Sequence, residues 1–226
     1  MKFTKMQGAG NDYIYVDARG SREELADWPI LAREMSNRHF GIGSDGLILL
    51  VDSNLGHVGM RMFNADGSEG DICGNGIRCL AKYAIDRKIV SLDNAVLQIE
   101  TISGIRQVEP LTENGNIVGA RVAMGFPQLE ADLIPVNLSN RSIPTMNGAI
   151  VDYPVEISGV SMSLGFVSMG NPHAVYFIKQ PVDDYPLSVI GPQVENLPIF
   201  PSRVNFEVVN VIDRSNLKAR VWERGS

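Results

Sequence analysis

Apolar residues fall in short runs along most of this chain, with Gly, Pro and Asn between them, and that pattern predicts strands rather than long helices. In the first half, strands are predicted over residues 13–16, 47–51, 59–63, 96–101 and 106–109, and in the second half over 120–124, 155–157, 174–178, 206–211 and 218–222. Only two segments carry convincing helical spacing. One opens at Asp27, a residue type suited to an N-cap, and places Ile30, Leu31 and Met35 on one face. The other opens at about Gly74 and carries Ile77, Leu80, Ala81, Ala84 and Ile85. Many strands and few helices make an α+β protein with mainly antiparallel sheet.

The strand pattern contains a repeat. Gly10-Asn11-Asp12-Tyr13 followed by an apolar strand returns as Gly170-Asn171-Pro172-His173 followed by another, at an offset of 160. The segment from Asp45 through Leu50 aligns with the segment from Val204 through Val209 at an offset of 159, and Arg61-Met62-Phe63-Asn64 aligns with Arg220-Val221-Trp222-Glu223 at the same offset. Three matches in one order and at nearly one spacing imply two similar domains in tandem, with expected bounds 1–117 and 118–226. The first half then places Cys73-Gly74 nine residues after Asn64, so the repeat expects a second Cys-Gly turn near position 232. The expectation is therefore of a fragment: a second domain lacking its cysteine and its closing helix, ending on a strand and an Arg-Gly-Ser turn.

The length of 226 residues accommodates two modest domains, and 44% hydrophobic with 20% charged residues is the profile of a globular chain. A formal net charge of -6 offers no basic surplus for a nucleic-acid partner. The longest aliphatic run, residues 47–51, is too short to span a bilayer, and the first five residues lack the apolar core of a signal peptide. A cytoplasmic protein with neither a membrane nor a nucleic-acid partner is expected. The two cysteines, Cys73 and Cys79, would lie roughly 9 Å apart along one helix at about 1.5 Å per residue, beyond the reach of a disulfide. Two free thiols fit a reducing compartment.

Cys73 stands in a turn of small residues directly before the second helix. The first N–H groups of a helix have no intrahelical partners, and with the helix dipole they favour negative charge. A thiol there is favoured as thiolate, and the N–H groups of Gly74 and Asn75 could hold a carboxylate. Such a thiolate can attack a carbonyl or take an α-proton. An inert cysteine at a helix start is the plain alternative, but the Asp, Gly and Asn neighbours favour a site; Cys79, inside the helix, reads as packing. Asn11, Asn64, Asn75, Asn171 and Asn205 fall at expected turns or strand ends. One turn asparagine usually reports only backbone geometry, but several converging amides suit a zwitterion, since an amide both donates and accepts. Glu223-Arg224 adds one charge of each sign, and His173 follows a turn that mirrors the turn at Asn11.

The chain resembles the diaminopimelate epimerase family over its whole length. The resemblance rests on Lys5-Met6-Gln7-Gly8-Ala9-Gly10-Asn11-Asp12, Gly41-Ile42-Gly43-Ser44-Asp45-Gly46, Phe63-Asn64-Ala65-Asp66-Gly67-Ser68, Cys73-Gly74-Asn75-Gly76-Ile77-Arg78, Gly170-Asn171-Pro172-His173, Arg203-Val204-Asn205-Phe206 and Trp222-Glu223-Arg224-Gly225. It implies a fold of two similar tandem domains, each of mainly antiparallel sheet wrapped around a central helix. It also implies a two-base mechanism without pyridoxal phosphate, any other cofactor or a metal. One cysteine thiolate removes the α-proton and a second thiol returns one to the opposite face, turning LL-2,6-diaminopimelate into the meso form for lysine and cell-wall synthesis.

Under that resemblance Cys73 is the first base, with His173 and Glu223 tuning the thiols. Asn11, Asn64, Asn171, Asn205, Glu223 and Arg224 bind the substrate, and Gly74 and Asn75 hold the reacting carboxylate. Gly46 stands where some members place a substrate-contacting glutamine, so no such role is carried over. With one base, the 226 residues alone are expected not to epimerise. A homodimer is compatible with the sequence but not specified by it. Two other readings are a hydrolase or transferase using Cys73 as nucleophile with His173, and a non-catalytic binding fold. The first would leave an acyl group on Cys73, and the second would tolerate Cys73→Ala.

Overall fold

A computed structural model of the chain describes residues 1–20, 26–91, 96–138 and 145–224. The Arg-Gly-Ser turn expected at the end involves Gly225 and Ser226, which lie outside the described residues. The chain divides into two compact units, Met1–Met124 and Gly125–Arg224.

The first unit is built on strands β1 (Thr4–Gly8), β2 (Asn11–Asp17), β3 (Gly46–Val51), β4 (Val58–Asn64), β5 (Glu69–Gly70), β6 (Leu97–Thr101), β7 (Gly104–Glu113) and β8 (Asn116–Val122). They form one sheet in the order β1-β2-β3-β4-β6-β7-β8, with β5 added beside β4. Pairing is antiparallel except between β2 and β3 and between β4 and β6. Helix α2 (Gly74–Asp86) touches β1 and β2 near one end of this order and β7 and β8 at the other, so the sheet curls around it. Helix α1 (Trp28–Ser36) lies on the opposite face, against β3 and β4.

Alternation across the pleat explains why β3 reads as an unbroken apolar run. Ile48 and Leu50 face α2 with Tyr13, Tyr15, Ile77, Leu80 and Ala84. Leu47, Leu49 and Val51 face α1 with Ile14, Val16, Trp28 and Ala32. Asp27 caps α1 by accepting from the Ile30 N–H at 3.2 Å, as expected, but the buried stripe of the helix is Trp28, Ala32 and Ser36. Ile30, expected on the buried face, is 48% exposed because it points off the side that packs on β3. The strand expected over 120–124 is β8, which starts four residues earlier and ends at Val122, so the expected domain boundary after residue 117 falls inside it.

The second unit contains a short hairpin of β9 (Thr145–Met146) and β10 (Ala149–Ile150). Its sheet comprises β11 (Tyr153–Ile157), β12 (Val160–Ser168), β13 (Pro172–Phe177), β14 (Asn205–Val211) and β15 (Leu217–Trp222), in that order. Helix α3 (Leu187–Glu195) packs on one face of it through Leu187, Ile190 and Val194, with Ala174, Phe206, Val208 and the Trp222 ring.

The expected repeat is present at the level of the ladder. β1-β2-β3-β4 and β12-β13-β14-β15 share one sequence of pairings: antiparallel, parallel, antiparallel. Tyr13 faces Gly46 as His173 faces Asn205, and Leu47 faces Phe63 as Phe206 faces Trp222. Even the helices correspond, α3 following α1 at the offset of 159. That third helix corrects the expectation of two. Its interior Gly191-Pro192 and its uncapped start at Pro186 mask the helical signal.

Candidate active site

Two clusters of the expected residues form, one in each unit. In the first, Cys73 is the N-cap of α2, its backbone extended at φ -120° and ψ 116°, and its half-buried Sγ accepts from the Gly76 N–H at 3.3 Å. The same residue is held from behind, where the buried Tyr15 hydroxyl donates to the Gly76 carbonyl at 3.0 Å. Gly76 also sets how closely the helix sits on the sheet, since a Cβ there would lie 2.5 Å from Ile48 Cδ1. Sequence thus fixes Cys73 through three residues: Gly76 for close approach, Tyr15 for the tie, Ile48 for the floor.

Asn75 occupies the first turn of α2 rather than a preceding turn, as its expected placement had it. Its Nδ2 donates to Asn11 Oδ1 at 2.7 Å, and its own Oδ1 accepts from Arg78 Nη2 at 2.5 Å. Asn11 at the start of β2 donates in turn to Asp45 Oδ2 at 3.3 Å, and the Asp12 N–H donates to the same oxygen at 2.9 Å. Arg38 closes the network, with Nη2 2.7 Å from both Asp12 Oδ1 and Asp45 Oδ1, and Lys5 Nζ is 2.9 Å from Asp12. The Arg38 guanidinium beside Asp12, helped by Lys5, holds that carboxyl down at about 2 against the opposing effect of burial. Each amide in the chain therefore has a defined orientation, which is what recognition of a zwitterion requires. Asn64, at the end of β4, donates to Ser68 Oγ at 3.0 Å.

Cys79 is buried in the second turn of α2, and burial pushes its thiol up, offset in part by a hydrogen bond with Tyr15. Its packing role agrees with the sequence. Gly46 also has a physical account. Any Cβ there would run into the Phe63 carbonyl of the neighbouring strand, so no longer side chain fits without the strands parting.

In the second unit, His173 opens β13 with Nδ1 2.5 Å from Glu207 Oε1 and Nε2 2.9 Å from Asn171 Oδ1. Asn205, 5% exposed, is the first residue of β14 and lies opposite His173 in the ladder; its Oδ1 accepts from the Arg224 N–H at 2.9 Å. Arg224 Nη1 also donates to the Ser202 carbonyl at 2.9 Å. Glu223 follows directly on β15, close enough to Glu207 for its charge to raise that carboxyl further. His173, Asn171, Asn205, Glu223 and Arg224 thus gather at one end of β13, β14 and β15.

Glu207, Asp45, Arg38 and Lys5 were not among the expected site residues. Glu207 had a signal, a lone acid in the apolar strand 206–211, where alternation places it on the face away from Phe206 and Val208. The Arg38–Asp12–Asp45 network had none, because its members come together only through the parallel pairing of β2 and β3.

The family model for diaminopimelate epimerase matches residues 3–130 of this chain. A diaminopimelate epimerase of Acetivibrio thermocellus is 48% identical across the whole chain, which covers 76% of that protein. Those of Desulfovibrio desulfuricans and Methanococcus maripaludis are 47% and 45% identical, again across the whole chain and 77% of each relative. Among solved structures, a probable proline racemase from Agrobacterium radiobacter K84 superposes with a TM-score of 0.68 at 12% identity, over 99% of this chain and 70% of that one. A hydroxyproline epimerase from Agrobacterium vitis superposes with a TM-score of 0.67 at 11% identity, over 99% of this chain and 70% of that one. The two structural likenesses establish the α+β fold of two similar halves; the sequence matches go further, and the chain belongs to the diaminopimelate epimerase family.

Proposed function

We propose that the protein is an amino-acid epimerase that interconverts LL- and meso-2,6-diaminopimelate by proton transfer at the α-carbon, in the cytoplasm, in lysine and cell-wall synthesis. The observation that carries this reading is the capping geometry of Cys73, a half-buried thiol with a backbone N–H aimed at its sulfur at the start of a helix. Its thiolate takes the α-proton, so the Cα–H bond breaks as S–H forms, and charge passes towards the carboxylate. N–H groups of Gly74 and Asn75 hold that carboxylate without reorganising as charge develops. Asn11, Asn64, Asn171, Asn205, Glu223 and Arg224 bind the remaining ammonium and carboxylate groups. A second acid returns a proton on the opposite face. Cys79 does not serve, since it is buried in the packing of α2.

A nucleophilic pairing of Cys73 with His173 would need one ring nitrogen of His173 on the thiol, and both ring nitrogens are engaged with Glu207 and Asn171. Incubation with LL-diaminopimelate in deuterium oxide tests the reading through Cys73 alone. Deuterium is expected at the α-carbon, and Cys73→Ala abolishes its entry. An acyl adduct on Cys73 after mixing with an activated ester, with no α-exchange, would refute it.

A further inference from the structure

We propose that Glu207 is a positioning residue that locks His173 in the Nδ1–H form and leaves Nε2 as the nitrogen through which His173 exchanges its proton. The two side chains stand on rigid neighbouring strands. In the parallel β13–β14 ladder His173 faces Asn205 and Val175 faces Glu207, so His173 and Glu207 share one face of the sheet, one step apart on the diagonal. The Glu207 side chain is only 17% exposed, its Oε1 is 2.5 Å from Nδ1, and its Oε2 has no hydrogen-bond partner among the described residues. Ionised carboxylate can only accept, so Nδ1 carries the proton. The partner of Nε2 is the amide of Asn171 at 2.9 Å, which offers an acceptor in one orientation and a donor in the other. Nε2 is therefore the nitrogen whose protonation can change without breaking the tie to Glu207.

The repeat shows that the fold does not require this pair. At the matching ladder positions of the first unit stand Tyr13 and Ile48, both buried in the apolar cluster beneath α2. The same backbone pairing is thus satisfied by a tyrosine and an isoleucine, with no acid–base pair. A buried ionic pair is a weak source of stability, because desolvation offsets most of the attraction. Burial indeed pushes the Glu207 carboxyl up, and the His173 ring opposes that shift. The groups placed about the pair are polar or acidic: Asn171 ahead of β13, Asn205 on β14 and Glu223 after β15. A carboxylate kept in such surroundings, where the sister half of the molecule keeps isoleucine, has the role of orienting its partner, as the single carboxylate orients the imidazole in hydrolytic triads.

The role of His173 in the reaction rests on the function proposed above; the state of its ring does not. Glu207→Leu is the informative variant, since it roughly keeps the volume but leaves Nδ1 with no acceptor. The ring is then expected to switch to Nε2–H donating to Asn171, read as the exchange of the two ring-nitrogen shifts in long-range proton–nitrogen NMR at a pH where the imidazole is neutral. In deuterium oxide the same variant is expected to slow α-exchange of diaminopimelate at least about tenfold at saturating substrate, with KM within threefold. A ring that stays Nδ1–H in Glu207→Leu overturns the proposal, and so does a switched ring with α-exchange at the parent rate. If the parent itself shows no α-exchange, the proposed function falls, and the NMR shifts still decide whether Glu207 sets the tautomer.

Discussion

Replacing Gly76 with alanine sets two effects of known size against each other at the residue that caps the Cys73 thiol. Gly76 lies in the first turn of α2 and has no positive φ, so the backbone accepts alanine, and helix propensity alone favours the substitution by about 0.5–1 kcal/mol. Packing opposes it. The new Cβ would sit 2.5 Å from Ile48 Cδ1, whereas carbon atoms in contact prefer roughly 3.5–4.0 Å, so the helix start and β3 must part by about 1 Å or Ile48 must leave its rotamer. Ile48 is fully buried among Tyr13, Tyr15, Ile77 and Leu80, and overpacking of such a core costs about 1–3 kcal/mol. The clash outweighs the gain over most of that range, for a net loss of up to about 2.5 kcal/mol and a melting temperature lowered by as much as several degrees.

The displacement also lengthens the 3.3 Å bond from the Gly76 N–H to Cys73 Sγ, and a shift of about 1 Å in a catalytic group costs on the order of a hundredfold in rate. Urea melts and α-proton exchange measured on the same preparations check both parts. Ile48→Val supplies the control, since it deletes the clashing methyl. Alone it is expected to cost about 0.5–1.5 kcal/mol, and combined with Gly76→Ala it should recover most of the alanine penalty as a coupling of about 1 kcal/mol. Gly76→Ala melting at or above the parent, with parent exchange, would refute the argument.

The remaining predictions concern the thiols, the acidic network and the third helix. Iodoacetamide at neutral pH should label the native protein once, at Cys73, because burial pushes the Cys79 thiol up and shields it; peptide mass mapping reads the site, and equal labelling of Cys79 would contradict its packing. Asp12, held at about 2, contributes stability that is complete above the ordinary carboxylate value near 4 and is lost as pH falls from there towards 2. In Arg38→Ala its carboxyl carbon should titrate at higher pH, and an unmoved titration would remove Arg38 as the cause. Glu195, buried at the end of α3, accepts from Trp222 Nε1 at 2.7 Å and from Arg203 Nη1 at 3.2 Å. Glu195→Ala should cost about 2–4 kcal/mol and shift the Trp222 fluorescence, while Glu195→Gln, which keeps an acceptor, should cost less.

Legibility of the fold varied with how many constraints each segment carried alone. α2 was readable to the residue because small residues precede an apolar stripe at helical spacing, and β3 was readable because its run of six apolar residues has a single explanation, burial on both faces. α3 was not readable locally, yet the repeat contained it: residues 28–36 carried forward by 159 give its span. β12 escaped although Ser161, Met162, Ser163 and Leu164 alternate, since serine weakens the apolar signal. In the site, single residues were readable where their type is unusual for their place, as with Cys73 at a helix start. Pairings across the ladder, such as Asn75 with Asn11 or His173 with Glu207, depend on register and were out of reach.

The repeat also explains why site residues accumulate at particular addresses. In both ladders the candidate site side chains stand at the ends of the parallel pair and of the antiparallel strand beside it: Asn11 and Asn64 in one, Asn171, Asn205 and Glu223 in the other. Strand ends combine a backbone fixed by the sheet with a side chain released from the pleat, so a polar group there is both positioned and accessible. Further into each ladder the constraint is burial, and there the halves diverge: Tyr13 and Ile48 fill the core under α2, while His173 and Glu207 are held by their bond to each other. One architecture therefore offers two equivalent sets of positions, and chemistry is assigned by which half can bury a charge with its partner. The acid–base pair of the second half and the capped thiol of the first are places where this chain departs from what packing alone would select.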